Sequence, residues 1–144
     1  MRLKYLGKNS KLKDAVNTAN QILENPEFYS RIREKVDFDN TILSAIEVAK
    51  RIENFNTSVE IKTWWNPFGS ANAKTGNSNA ISINTAKLKR TKKSIVNTLI
   101  HEYIHAVDYG NDGKLEFTHV DNENNGEEDN TAPWAIGEIA KNMV

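Results

Sequence analysis

The chain has 144 residues, 38% hydrophobic and 26% charged, which suits one folded domain with a real core rather than a disordered or membrane chain. Lysine plus arginine and aspartate plus glutamate balance at 19 each, so no overall field draws the protein to nucleic acid or to an anionic membrane. Cysteine is absent, which excludes disulfides and leaves His, Asp and Glu as the side chains able to hold a metal. The N-terminus lacks an apolar run of signal-peptide length, and nowhere do about 18 apolar residues run together. No membrane association is expected, and cytoplasmic residence is the default.

In chain order, the first helical pattern follows Ser10, a suitable N-cap. Leu12, Ala15, Val16, Ala19, Ile22 and Leu23 recur at three- and four-residue spacing and form one apolar stripe. Asn25-Pro26 ends that helix, because the residue before proline is pushed out of the α region. A short second helix fits 27–35, with Phe28 and Ile32 one turn apart. Asp39 can cap a third, whose stripe is Ile42, Ala45, Ile46, Ala49 and Ile52. All three read as scaffold.

From Ser58 the period changes to two. Val59, Ile61 and Thr63 alternate with Glu60, Lys62 and Trp64, as in a half-buried strand. Trp64-Trp65-Asn66-Pro67-Phe68-Gly69 then leads into a polar stretch ending at Asn79, and these aromatics are expected to cover the end of the sheet. The segment 80–84 alternates again and predicts a second, short strand. Next come Lys87, Lys89, Arg90, Lys92 and Lys93, five basic residues within seven positions. A nucleic-acid interface would place aromatics among them for stacking, and none is there. Nucleic acid is therefore not expected as a partner, and the run reads as a solvated approach to a helix.

That helix is predicted from a cap at Thr91 or Ser94 to about Tyr109, with Gly110 ending it. At about 100° per residue, Ser94, Thr98, His101, His105 and Asp108 share one narrow face. Ile95, Val96, Leu99, Ile100, Tyr103, Ile104, Ala106 and Val107 fill most of the rest. The chain has three histidines, and two lie four apart on this face. A chance pair of histidines belongs on a broad solvated surface, whereas this helix should be buried everywhere except along them. His101 and His105 can reach one ion, and Glu102 lies beside them with its carboxylate off the ligand line. Such a carboxylate is placed to take a proton from water attacking a carbonyl and to pass it to a leaving amine.

His101-Glu102-Tyr103-Ile104-His105 resembles the active-site helix of the zincin metallopeptidases. The resemblance implies zinc held by His101 and His105, Glu102 as general base, and hydrolysis of a peptide or protein substrate by water on the metal. It also implies a sheet beside the helix whose edge strand pairs with the substrate. The third ligand is open. His119 resembles the third histidine of SprT-like proteins, although Val120 follows it where glycine is usual, and it ranks first. Glu138 on a later helix ranks second, with Glu127 or Glu128 as weaker choices of that type. Asp108 ranks third and fits better as an acceptor orienting a ligand imidazole. The metzincin continuation is missing after His105. Tyr109 is the candidate for oxyanion support, because Tyr103 faces the core. The first alternative is a catalytically silent zincin-like domain that binds zinc or protein, and the second, ranked lower, is a nucleic-acid-binding module using the Lys87–Lys93 run.

Asp121, Glu123, Glu127, Glu128 and Asp129 form an acidic stretch that does not match a calcium loop. Thr131 then caps a last helix, with Pro133 in its first turn and Trp134 packing under the metal site. The expected architecture is thus a single α+β, zincin-like domain over 1–144. It has N-terminal helices, a short, mostly antiparallel sheet, a buried active-site helix and a C-terminal helix.

Overall fold

The computed structural model describes residues 1–118 and 130–144. Along the chain run β1 (Leu3–Lys4), α1 (Ser10–Leu23), α2 (Pro26–Arg33), α3 (Ala45–Asn54), β2 (Val59–Trp64), β3 (Ala73–Thr75), β4 (Ala80–Asn84), α4 (Lys92–Tyr109) and α5 (Ala132–Lys141). The fold is α+β. No helix among the described residues is long and apolar enough to cross a membrane.

The helix ends follow local chemistry. Asn9, one residue before the expected Ser10, caps α1 by accepting from the Leu12 N–H at 3.0 Å. Asn25 ends one helix and caps the next, its side chain accepting from Glu27 N–H while Pro26 occupies the first turn of α2. The third helix departs from expectation. Ser44 rather than Asp39 is its cap, in a reciprocal box with Glu47: Glu47 N–H donates to Ser44 Oγ at 3.2 Å and Ser44 N–H to Glu47 Oε2 at 2.7 Å. Starting at Ala45 leaves Ile42 in the preceding loop, 96% exposed, and puts Ile46 off the buried stripe. That stripe is Ala45, Val48, Ala49 and Ile52.

The sheet order is β1-β2-β4-β3. Both β1–β2 and β2–β4 are parallel, and only β3–β4 is antiparallel. The expected mostly antiparallel sheet is therefore corrected to a mixed one. The reason is topological. β1 reaches β2 through the helices α1–α3, a crossover connection that suits parallel pairing. The chain leaving β2 passes beyond β4's position, lays down β3 at the edge, and returns through a short turn to place β4 between them. Sequence patterning missed β1 and β3, which are two and three residues long. The aromatics after β2 do not cover the sheet end: Trp65 is 70% and Phe68 96% exposed, while Trp64 is half-buried beneath Lys74 Nζ.

The N-terminus is tied down by Asn20. Its side chain accepts from the Arg2 and Leu3 N–H groups and donates to the Leu3 carbonyl at 2.9 Å. The Arg2 guanidinium donates to the carbonyls of Ile52, Glu53 and Phe55, where a helix C-terminus favours a cation. It also reaches Tyr103 Oη at 3.2 Å, linking the end of α3 to α4.

At the centre lies α4, which packs against α1, α3, α5, β3 and β4. Its cap is Thr91, accepting from Ser94 N–H at 3.3 Å, and Gly110 closes it. All eight residues expected to be apolar and buried on this helix are buried, Tyr103 among them, so oxyanion support from Tyr103 is ruled out by its place in the core.

Candidate metal centre

Of the polar line along α4, Ser94 and Thr98 are half-buried while Asp108 is buried. His101 and His105 are half-buried, their ring centroids 5.1 Å apart with planes at 67°. Side chains four apart on a helix project together, and the packed remainder of α4 gives them a rigid base. The indole of Trp134, at the start of α5, meets the His101 ring edge-to-face at 5.1 Å and 86°. It restricts how that imidazole can turn.

Glu102 is buried, only 8% exposed, yet ionisable. Thr75 Oγ donates to Glu102 Oε2 at 2.6 Å and lies 3.2 Å from the Glu102 carbonyl oxygen. Burial pushes the Glu102 carboxyl up from its ordinary value, and the bond from Thr75 works in the opposite direction. A carboxylate that is desolvated but held by one charge-assisted bond has the profile of a general base. Thr75 was missed in the sequence. It sits at the end of a three-residue edge strand inside a Gly/Asn/Ser-rich stretch, and its only signal is the short Ala-Lys-Thr run before a turn.

His101, Glu102 and Trp134 open on a cleft of about 640 Å³, whose lining does not include His105 or Thr75. His101 and Glu102 lie at its base, and Ala73, Arg90, Trp134 and Glu138 are among its walls. The strand nearest to the cleft, β3, is at the sheet's edge.

The remaining candidates fall in different places. Asp108 is 1% exposed, and its two carboxylate oxygens accept from the backbone N–H groups of Glu116 at 2.8 Å and Phe117 at 3.2 Å. It clasps the loop after α4 to the helix end. Burial pushes its carboxyl up, opposed by those two bonds. Glu138 accepts from Asn97 Nδ2 at 2.5 Å and pairs with Lys141 at 3.2 Å. Trp134 faces His101 while Glu138 faces Asn97, so α5 runs antiparallel to α4 and Glu138 lies one turn away from the histidines. Gly137 makes this approach possible, because a Cβ there would come within 2.8 Å of Asn97 Oδ1. Tyr109 is 39% exposed at the end of α4 and is not among the residues lining the cleft. His119 lies outside the described residues, as do Glu127 and Glu128.

Among the described residues, no group of three or more His, Cys, Asp or Glu side chains could hold a metal. The donor chemistry of the two imidazoles fits two of the positions zinc uses, on a support rigid enough for coordination. Asp108 and Glu138 are engaged with partners of their own.

No family model, curated protein or solved structure matches this chain.

Proposed function

We propose that the protein is a zinc-dependent peptidase. The observation that carries this reading is the pairing of His101 and His105 on one face of a buried helix, with the Glu102 carboxylate desolvated beside them and held by Thr75. His101 and His105 would hold the zinc, with His119 as the third protein ligand. Zinc, when bound, polarises a carbonyl and makes water a nucleophile at neutral pH. Everything else falls to the chain's own groups. Thr75 fixes Oε2 of Glu102, leaving Oε1 to take a proton from the attacking water and to deliver it to the leaving amine. Trp134 limits the rotation of His101. The outer edge of β3 offers backbone groups to an extended peptide lying along the cleft, which adds a strand to the sheet in the manner of other peptide-binding edges.

The test is the Glu102→Gln chain. It should fold and take up zinc as the unaltered chain does, yet lose hydrolysis of an unstructured protein such as casein. Undiminished hydrolysis would remove Glu102 from the role of base. Zinc uptake with no hydrolysis by either chain would favour a zinc-binding domain without turnover.

A further inference from the structure

The basic run at 87–93 separates in the fold, and one member turns toward the cleft. Lys92 pairs with Asp14 at 3.2 Å, and Lys87 Nζ reaches the Pro67 carbonyl at 3.4 Å. Arg90 instead folds back along α4. Its Nε donates to the Lys87 carbonyl at 2.9 Å, and Nη1 donates to Thr98 Oγ at 2.8 Å, Ser94 Oγ at 3.1 Å and the Ser94 carbonyl at 3.2 Å. These bonds hold the guanidinium on the histidine face, at the wall of the cleft.

The other donor, Nη2, is shielded from solvent and has no acceptor among the described residues. All of the acceptors that Arg90 does have are neutral, and no carboxylate among the described residues pairs with it. Burial without a counter-charge disfavours its charged form. A half-buried guanidinium in this condition gains more from an entering anion than an exposed one would. The acidic groups bordering the same cleft are already engaged, Glu138 by Lys141 and Glu102 by Thr75.

Position sets the scale. Thr98, which anchors Nη1, precedes His101 by three residues, or about 4.5 Å of helix rise. An extended peptide advances about 3.3 Å per residue. A group bound at Arg90 therefore belongs one or two residues from a carbonyl placed over His101 and Glu102.

We propose that Arg90 is the anion-receiving group of this cleft and selects peptides with a carboxylate one or two residues from the bond to be cut. This rests on reading the cleft as a peptidase site. The carboxylate is either the chain terminus or an acidic side chain, and the chemistry at Arg90 is the same for both.

The test uses the zinc-supplied Glu102→Gln chain, so that binding is measured without turnover. Calorimetry compares N-acetylated tetra-alanine bearing a free terminal carboxylate with its amide, and an amidated peptide containing glutamate with its glutamine twin. A terminal source predicts about tenfold or tighter binding of the acid over the amide, and a side-chain source predicts the same preference for glutamate over glutamine. Arg90→Gln should erase the preference while leaving the neutral peptides within about twofold, and Arg90→Lys should keep part of it. Equal binding of charged and neutral peptides, or no binding of any, overturns the proposal. If Arg90→Gln fails to fold, the acid–amide and Glu–Gln comparisons with Arg90 in place still decide. With Glu102 intact, equal cleavage of acid and amide together with equal cleavage of the glutamate and glutamine peptides would overturn the role of Arg90 alone. Carboxylate-selective binding without cleavage would instead remove the peptidase reading and leave the anion site standing.

Discussion

Replacing Thr75 with valine removes one hydroxyl from the strand beside α4 and keeps its shape. The bond lost is 2.6 Å long and runs to Oε2 of a carboxylate that is 8% exposed. A hydrogen bond to a charged group contributes about 1.5–3 kcal/mol, and removing its donor leaves the partner desolvated and unsatisfied. Unfolding in urea near neutral pH should therefore show a loss of about 1.5–3 kcal/mol. The pH dependence gives a second reading. Burial already raises the Glu102 carboxyl, and Thr75 counters it by favouring the ionised form. Without Thr75 the carboxyl rises further, so the protonated form becomes relatively better in the folded state. The gap between Thr75→Val and the unaltered chain should thus be widest where Glu102 is ionised in both, and should shrink in acid as it becomes neutral. Urea unfolding of the metal-free proteins across that range measures it. In the zinc-supplied proteins, kcat/KM on an unstructured substrate should fall by roughly tenfold or more, because the base is no longer held in one position. Thr75→Ser, which keeps a hydroxyl, should recover most of both effects. If Thr75→Val matches the unaltered chain in stability at every pH and in kcat/KM, Thr75 does not position Glu102.

Metal analysis of the purified chain should give about one zinc per molecule, and His101→Ala or His105→Ala should abolish it. His119→Ala should weaken zinc binding far more than Glu138→Ala, and the reverse ranking would move the third ligand to α5. Asp108→Ala orphans the two backbone N–H groups of the loop after α4, so chemical denaturation should show a loss of about 2–4 kcal/mol. Stability unchanged by that substitution would contradict the clasp. Tyr29 Oη donates to the Leu23 carbonyl at 2.6 Å, and burial pushes the phenol up from 10.0 to about 12. Because the folded state holds that proton more tightly, the stabilisation is complete below pH 10 and lost as pH rises toward 12. Tyr29→Phe should lack this alkaline loss, whose size is on the order of 2–3 kcal/mol. Alkaline curves that superimpose would refute the assignment.

What lay open in the residues themselves was whatever short-range chemistry decides. The span of α4 could be read from a cap at Thr91 or Ser94, its apolar positions and Gly110, because capping and periodicity act within a turn or two of helix, and the structure chose Thr91. The placement of Glu102 beside His101 and His105 followed from the same angular arithmetic. The start of α3 was misread at Asp39 because several polar residues precede that helix, and only the reciprocal bonds of Ser44 and Glu47 choose among them. Other features required distant parts of the chain to meet. Parallel pairing of β2 with β4 depends on where the connection between them travels, which strand alternation does not encode. Trp65 and Phe68 stand exposed because nothing distant among the described residues packs over them, a fact absent from their own hydrophobicity.

The site divides along the same line. The two imidazoles and the carboxylate are fixed by spacing on one helix, since a helix places residues four apart on the same face whatever surrounds it. The hold on that carboxylate belongs to the tertiary structure: Thr75 reaches Glu102 across 27 positions from an edge strand too short to show a pattern. The engagement of Glu138 by Asn97 and the turn of Arg90 toward the cleft also arise only when α5 and the 87–93 segment pack against α4. Sequence therefore determined which groups are candidates for the proposed chemistry, and packing decided which were desolvated, which were occupied and which face the cleft. Burial and partnership are properties of surfaces brought together, and no single segment carries them.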